Sequence, residues 1–167
     1  MTKVLYPGSF DPITKGHMNI IEQASNIFDE IIIAVLQNPL KKSEFFTLEE
    51  RTEIIKKLYQ EKNNIKVISS NNTTTDIALQ NKCNAIIRGL RNSVDYNYEV
   101  QLQQINKDLS DNKINTICFF TDKEYQFISS SIVKEVFYLN KDISKYVNPL
   151  VQEKMLIKKR SLIKWVK

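Results

Sequence analysis

The chain has 167 residues, 42% of them apolar and 26% charged, which suits one globular domain with a full core and excludes a disordered chain. Its net charge of +5 is confined to one end: from Glu153 to Lys167 stand six cations (Lys154, Lys158, Lys159, Arg160, Lys164, Lys167) and one anion. Residues 1–152 therefore sum to zero, which argues against a nucleic-acid-reading surface. The longest apolar run, Ile31 to Leu36, is far short of the ~18 residues of a membrane span, and Met1-Thr2-Lys3 predicts no leader peptide. Two cysteines, Cys83 and Cys118, are too few for a disulfide framework, so a cytoplasmic protein with reduced thiols and no membrane or nucleic-acid partner is expected.

In chain order, Lys3–Tyr6 reads as a strand ended by the Pro7-Gly8 turn signal. Ile20, Ile21, Ala24, Ile27 and Phe28 recur at helical spacing after Gly16-His17. Ile31–Leu36 is apolar at every position, the pattern of a strand covered on both faces. Thr47-Leu-Glu-Glu50 is a capping box that opens a helix to about Glu61. Ile65–Ser69 is a strand, Asp76–Lys82 a short helix and Asn84–Arg88 another strand. A longer helix follows from Ser93 to Leu109, with Tyr98, Leu102, Ile105 and Leu109 on one stripe. Ile114–Phe120 is the fifth strand, and Ser130–Leu139 and Pro149–Ile157 are helices that lead into a basic segment from about Glu153. This alternation predicts an α/β fold: a doubly wound, Rossmann-like, five-stranded parallel sheet with helices on both faces, in one domain over residues 1–167. Ligands in such folds bind beyond the carboxyl ends of the strands.

The segments after the strands carry chemistry. Only three glycines occur, Gly8, Gly16 and Gly89, where average usage predicts about twelve, and His17 is the sole histidine. Gly8 and Ser9 follow the first strand, and Gly16-His17 opens a helix, where free amides and the dipole favour anions. A capped βα loop with a helix-start histidine is the plain alternative. Lys41 and Lys42 follow the second strand. Arg88-Gly89-Leu90-Arg91 follows the fourth, and its guanidiniums suit bidentate phosphate contacts or could simply pair with Asp95 and Glu99. Ser129, Ser130 and Ser131 are an N-cap or a phosphate site. No nucleophile–base pair and no metal-ligand cluster is evident, so phosphoryl or nucleotidyl transfer by positioning and charge neutralisation is what these residues support.

Four stretches in register carry a family resemblance: Tyr6-Pro-Gly-Ser-Phe-Asp-Pro-Ile-Thr-x-Gly-His17; Phe46-Thr-Leu-Glu-Glu-Arg51; Arg88-Gly-Leu-Arg91…Asp95…Tyr98-Glu99; and Phe127-Ile-Ser-Ser-Ser131-x-Val-Lys-Glu135. They resemble the bacterial phosphopantetheine adenylyltransferases of the T-x-G-H nucleotidyltransferase superfamily. The resemblance implies transfer of the adenylyl group of ATP to 4′-phosphopantetheine, giving dephospho-CoA and pyrophosphate. It implies magnesium carried on the ATP phosphates and a homohexamer. His17 would stabilise the transition state, with Lys41, Arg88 and Arg91 also in the catalytic set. Ser9, Phe10, His17, Gly89, Leu90, Arg91, Glu99 and the stretch Tyr125, Gln126, Phe127, Ile128, Ser129, Ser130 and Ser131 would bind ATP. Ser9, Lys41, Thr74 and Arg88 would hold the acceptor. Other small nucleotidyltransferases, such as a glycerol-3-phosphate cytidylyltransferase or a nicotinate-mononucleotide adenylyltransferase, share T-x-G-H, but the long Arg-Gly-Leu-Arg…Tyr-Glu segment argues against them. A non-enzymatic nucleotide sensor would bind ATP without releasing pyrophosphate.

Overall fold

The computed structural model describes residues 1–37 and 44–164. Five strands, β1 (Lys3–Gly8), β2 (Glu30–Leu36), β3 (Ile65–Ser70), β4 (Ala85–Leu90) and β5 (Asn115–Phe120), form one parallel sheet in the order β3-β2-β1-β4-β5. Six α-helices connect or follow them: α1 (Lys15–Ser25), α2 (Leu48–Leu58), α3 (Thr74–Gln80), α4 (Ser93–Leu109), α5 (Ser130–Tyr138) and α6 (Pro149–Lys164). The order reverses between β1 and β4, the switch point at which doubly wound sheets bind ligands.

Two apolar layers explain the fold. On one face Val4, Ile31, Ile33, Val35 and Ile87 meet Ile20 and Ile21 of α1, Ile54 and Ile55 of α2, Val133 and Phe137 of α5, and Val151 and Met155 of α6. On the other face Leu5, Ile32, Ala34 and Ile86 meet Ile77 and Ala78 of α3. The unbroken apolar run of β2 divides its residues between these two layers, as a strand covered on both faces must.

The ladder beside β1 is uneven, and this opens the site. β1 stays in register with β2 as far as Gly8↔Val35, but with β4 it pairs only at Val4↔Ala85 and Leu5↔Ile86. Beyond that point β1 and β4 part. Pro7, which has no N–H to give a ladder, lies in the parted stretch, and its carbonyl accepts from Arg88 Nη1 at 3.1 Å. The first strand thus runs through Pro7-Gly8 rather than ending before it.

Three further expectations need correction. The Tyr98, Ile105 and Leu109 stripe of α4 faces outward, 59%, 52% and 59% exposed, while the buried residues of that helix are Glu99 and Asn106. The polar face is turned inward because Glu99 holds Arg88 of β4, Asp95 holds Arg91 just beyond that strand, and Asn106 accepts from Thr75 Oγ1 at 3.2 Å. A cysteine in mid-strand is expected to be a small buried hydrophobe, but Cys118 is exposed on β5, an edge strand; only Cys83 is buried. Its thiol is pushed up to about 11 by burial. The last helix does not stop at Ile157 but continues to Lys164, and two of its cations are engaged. Lys158 bonds both carboxylate oxygens of Glu50 at 2.7 Å, and Lys159 reaches Asn140 Oδ1 at 2.8 Å and lies over the Phe137 ring.

Candidate active site

A cleft of about 490 Å³ opens where β1 and β4 part. Its walls come from the end of β1 (Tyr6, Pro7, Gly8), the turn and first residues of α1 (Phe10, Thr14, Gly16, His17), the end of β4 with the start of α4 (Arg88, Gly89, Arg91, Asp95, Glu99), and Ile128 to Ser131 at the start of α5. Two helix N-termini therefore converge on it. A Cβ added at Gly16 would lie 3.6 Å from the Tyr125 carbonyl and 3.8 Å from that of Ile128, so the start of α1 and the segment before α5 are in contact. The free amides and dipoles of both ends favour an anion between them.

His17 is the third residue of α1, and its orientation follows from the cap. Thr14 Oγ1 accepts from the His17 N–H at 3.4 Å, and the Thr14 N–H donates to His17 Nδ1 at 3.0 Å. A backbone N–H can only donate, so Nδ1 is the acceptor nitrogen and the neutral ring carries its proton on Nε2. The ring edge packs against Phe10, centroids 5.1 Å apart and planes at 78°. Phe10 itself holds φ at 48°, in the left-handed region that bulky side chains avoid, and also meets Tyr6 edge-on.

The glycines act by giving space. None has a positive φ, so Gly8 is not needed for a left-handed turn. A Cβ there would sit 2.9 Å from the Phe10 ring, and one at Gly89 would sit 2.9 Å from Ile20 Cγ1. Gly8 lets Phe10 fold back over the strand end, and Gly89 lets α1 lie close on β4.

On the opposite wall the two arginines are already paired. Arg88 donates through Nε to Glu99 Oε1 at 2.8 Å, with Nη2 2.6 Å from the same oxygen. Burial disfavours its charge, but Glu99 outweighs this and holds the guanidinium above its ordinary value. Arg91 grips Asp95 with Nε and Nη2, receives the carboxylate on its own backbone N–H, and donates from Nη1 to the Ile128 carbonyl at 3.2 Å. Burial alone would raise the Asp95 carboxyl, but these bonds hold it below the usual range. Burial pushes the Tyr6 phenol up, against the pull of the nearby Arg88 and Arg91. The site is a set of oriented guanidinium–carboxylate pairs rather than bare positive charge. Glu99 Oε2 is buried, with no hydrogen-bond partner among the described residues, and so offers an acceptor to a ligand donor.

Of the residues singled out in the sequence, Phe10, His17, Arg88, Gly89, Arg91, Glu99, Ile128, Ser129, Ser130 and Ser131 share this one cleft. The serines divide their work: Ser129 caps α5 through Ile132 N, Ser130 donates to the Pro12 carbonyl at 2.8 Å, and Ser131 is exposed at the wall. Ser9, Leu90, Tyr125, Gln126 and Phe127 adjoin the walls in sequence without lining them, and Thr74, the first residue of α3, does not line the cleft. Lys41, like Lys42, lies outside the described residues. Sequence reasoning missed Tyr6, Pro7, Thr14, Ile20, Val94, Tyr98 and Thr121 as lining residues. Thr14 could have been found from its place three residues before His17, the capping-box spacing.

Known proteins match this arrangement. A family model described as cytidylyltransferase-like matches residues 5–136. A phosphopantetheine adenylyltransferase from Finegoldia magna is 48% identical over 146 residues, covering 87% of this chain and 89% of the relative. One from Coprothermobacter proteolyticus is 44% identical over 155 residues, covering 91% and 93%. Among solved structures, one from Vibrio parahaemolyticus provisionally assigned as a nicotinate-nucleotide adenylyltransferase covers 93% of the chain and 99% of its own length with a TM-score of 0.59. At 19% identity it shows the shared fold alone.

Proposed function

The chain belongs to the phosphopantetheine adenylyltransferase family, within the cytidylyltransferase-like proteins, and from that premise we propose how its cleft works. It is a nucleotidyltransferase of coenzyme A biosynthesis: it moves the adenylyl group of ATP to 4′-phosphopantetheine, giving dephospho-CoA and pyrophosphate.

The nucleophile is an oxygen of the acceptor's phosphate, ionised at neutral pH, so no general base is needed and no covalent enzyme intermediate forms. The barrier is repulsion between two anions and their alignment for in-line attack at the α-phosphorus. Supporting this is the convergence of His17, Arg88, Arg91 and two helix N-termini on one cleft. His17 Nε2–H donates to the α-phosphate as charge grows there. Arg91, Gly89, Leu90, Glu99 and the stretch from Tyr125 to Ser131 take the ATP, with the Glu99 Oε2 acceptor available to a hydroxyl or amino group of the nucleoside. Arg88, with Ser9, Thr74 and Lys41, takes the phosphopantetheine. Each guanidinium keeps part of its donor fork beyond its carboxylate partner, so a phosphate joins an existing pair.

Magnesium carried on the ATP phosphates would supply charge neutralisation there in this reading. The cleft carboxylates, Asp95 and Glu99, are each tied to an arginine, and among the described residues no cluster of three His, Cys, Asp or Glu side chains comes together. This donor set suits an ion borne by the substrate. Residues 1–167 act as one cytoplasmic unit, with Val151 and Met155 of α6 in the main core. Assembly as a homohexamer has its support in the outward apolar face of α4 and the exposed Phe120 of the β5 edge, which a second copy would cover. Among the described residues no helix is long and apolar enough to cross a membrane.

The test is pyrophosphate release from ATP with 4′-phosphopantetheine, beside nicotinate mononucleotide and glycerol 3-phosphate as acceptors. Release with phosphopantetheine alone is expected; ATP binding without release would mean a sensor. Sedimentation of the same preparation reads the assembly.

A further inference from the structure

Arg51 lies on α2, outside the cleft wall, and is 1% exposed. A buried guanidinium persists only when its donors are satisfied, and four acceptors from separate places in the chain satisfy this one. Nη1 donates to the Ser9 carbonyl at 2.6 Å and to the Leu36 carbonyl at 2.9 Å. Nε reaches the Thr47 carbonyl at 3.3 Å, and Nη2 pairs with Glu44 Oε1 at 2.9 Å. One planar group thus ties the turn after β1 to the end of β2 and to the cap of α2.

The residue it grips stands next to a strained one. Ser9 is followed by Phe10, whose φ of 48° is disfavoured and whose ring braces His17. Such a backbone persists only when its surroundings hold it. A second tether, Asp11 accepting from the Phe45 and Phe46 N–H groups and from Lys134, holds the far side of the same turn. Between them Arg51 fixes the near side.

We propose that Arg51 is a positioning residue for adenylyl transfer: its guanidinium holds the Ser9–Phe10 turn against the end of β2, and so sets where the Ser9 hydroxyl and the Phe10-braced imidazole meet the substrates. This rests on the reading above of Ser9 and His17 as substrate-contacting groups. Lysine at position 51 would keep the charge and the pair with Glu44 but lose the planar fork that spans Ser9 and Leu36.

The experiment is a pair of double-mutant cycles read in kcat and in both KM values, on variants shown to be folded by thermal unfolding. Wild-type turnover of ATP with 4′-phosphopantetheine is measured first; its absence would overturn the functional reading rather than the role of Arg51. Arg51→Lys is expected to lower kcat on the order of tenfold to a hundredfold with KM for ATP within about threefold, as loss of alignment does. Combined with Ser9→Ala, the two losses should be less than multiplicative, because the second change removes what the first misplaces. Combined with Arg91→Ala they should multiply. A folded Arg51→Lys enzyme within about twofold of wild type, or losses that multiply with Ser9→Ala, would overturn the proposal. Should Arg51→Lys not fold, Glu44→Ala, which removes one tether at the rim, decides: a fall in kcat coupled to Ser9 supports the role, and an unchanged kcat refutes it.

Discussion

On the β1–α1 side of the cleft the His17 imidazole has two neutral contacts: a threonine cap on one nitrogen and an aromatic edge against the ring. On the β4–α4 side the two guanidiniums are held by carboxylates from the following helix. The first bank is set by shape and hydrogen bonding, the second by charge. A change that leaves volume alone but alters charge should therefore injure one bank and spare the other, and the reverse holds for a change of volume.

The largest expected effect is on the charged bank. Glu99→Leu leaves Arg88 unpaired in a largely buried position, and uncompensated buried charge costs about 3–5 kcal/mol. Urea denaturation should show that loss, with a smaller one for Glu99→Gln; equal stability of Glu99→Leu and wild type would dissolve the distinction between the banks. Next comes the neutral bank. His17→Ala removes the donor proposed for the reacting phosphate and should raise the barrier by ~2.7–4 kcal/mol, roughly 10²–10³ in kcat. ATP affinity by calorimetry should stay within a few-fold, and turnover within threefold of wild type would remove His17 from its role. Gly8→Ala tests shape alone. The added methyl meets the Phe10 ring at 2.9 Å, and overpacking of this kind costs about 1–3 kcal/mol, so a lower midpoint of thermal unfolding is expected with no change in its pH dependence.

The smallest effect carries the sharpest signature. The Asp95 carboxyl is held below its ordinary value by Arg91. Its contribution to stability is therefore complete above the unfolded value of ~3.9 and is lost as pH falls through the folded one. Asp95→Asn should cost no more than about 1 kcal/mol at neutral pH and should flatten the stability curve below pH ~4. An undiminished acid slope in the variant would assign that slope to other carboxylates.

Much of this was legible in the sequence, for reasons that differ from residue to residue. The run Ile31 to Leu36 could only be a strand covered on both faces, and Thr47 with Glu50 could only open a helix. His17 stood out because it is the sole histidine, follows Gly16 and opens a helix after a strand. The inward turn of α4 was not legible. An apolar stripe reads as core whatever covers it, and only Arg88 and Arg91, acting through Glu99 and Asp95, explain why the polar face wins. Arg51 escaped for a related reason: an arginine in a helix belongs on the surface by default, and nothing local shows that the distant carbonyls of Ser9 and Leu36 await it. The need for Gly8 was visible, but its cause, the ring of Phe10, lies in a contact two residues on that backbone rules alone do not predict.

Tyr6, Gly8, Phe10 and His17 meet around a single ring. A larger residue at position 8 fits only with a smaller one at position 10, and a smaller one there takes away both the edge that steadies position 17 and the partner of position 6. In a library randomised over these four sites, survivors should therefore appear as matched sets, with single changes depleted and compensated ones recovered together. Drift through this corner of sequence space would have to proceed by joint steps, whereas the Arg91–Asp95 pair across the cleft can lose its acid alone at no more than about 1 kcal/mol.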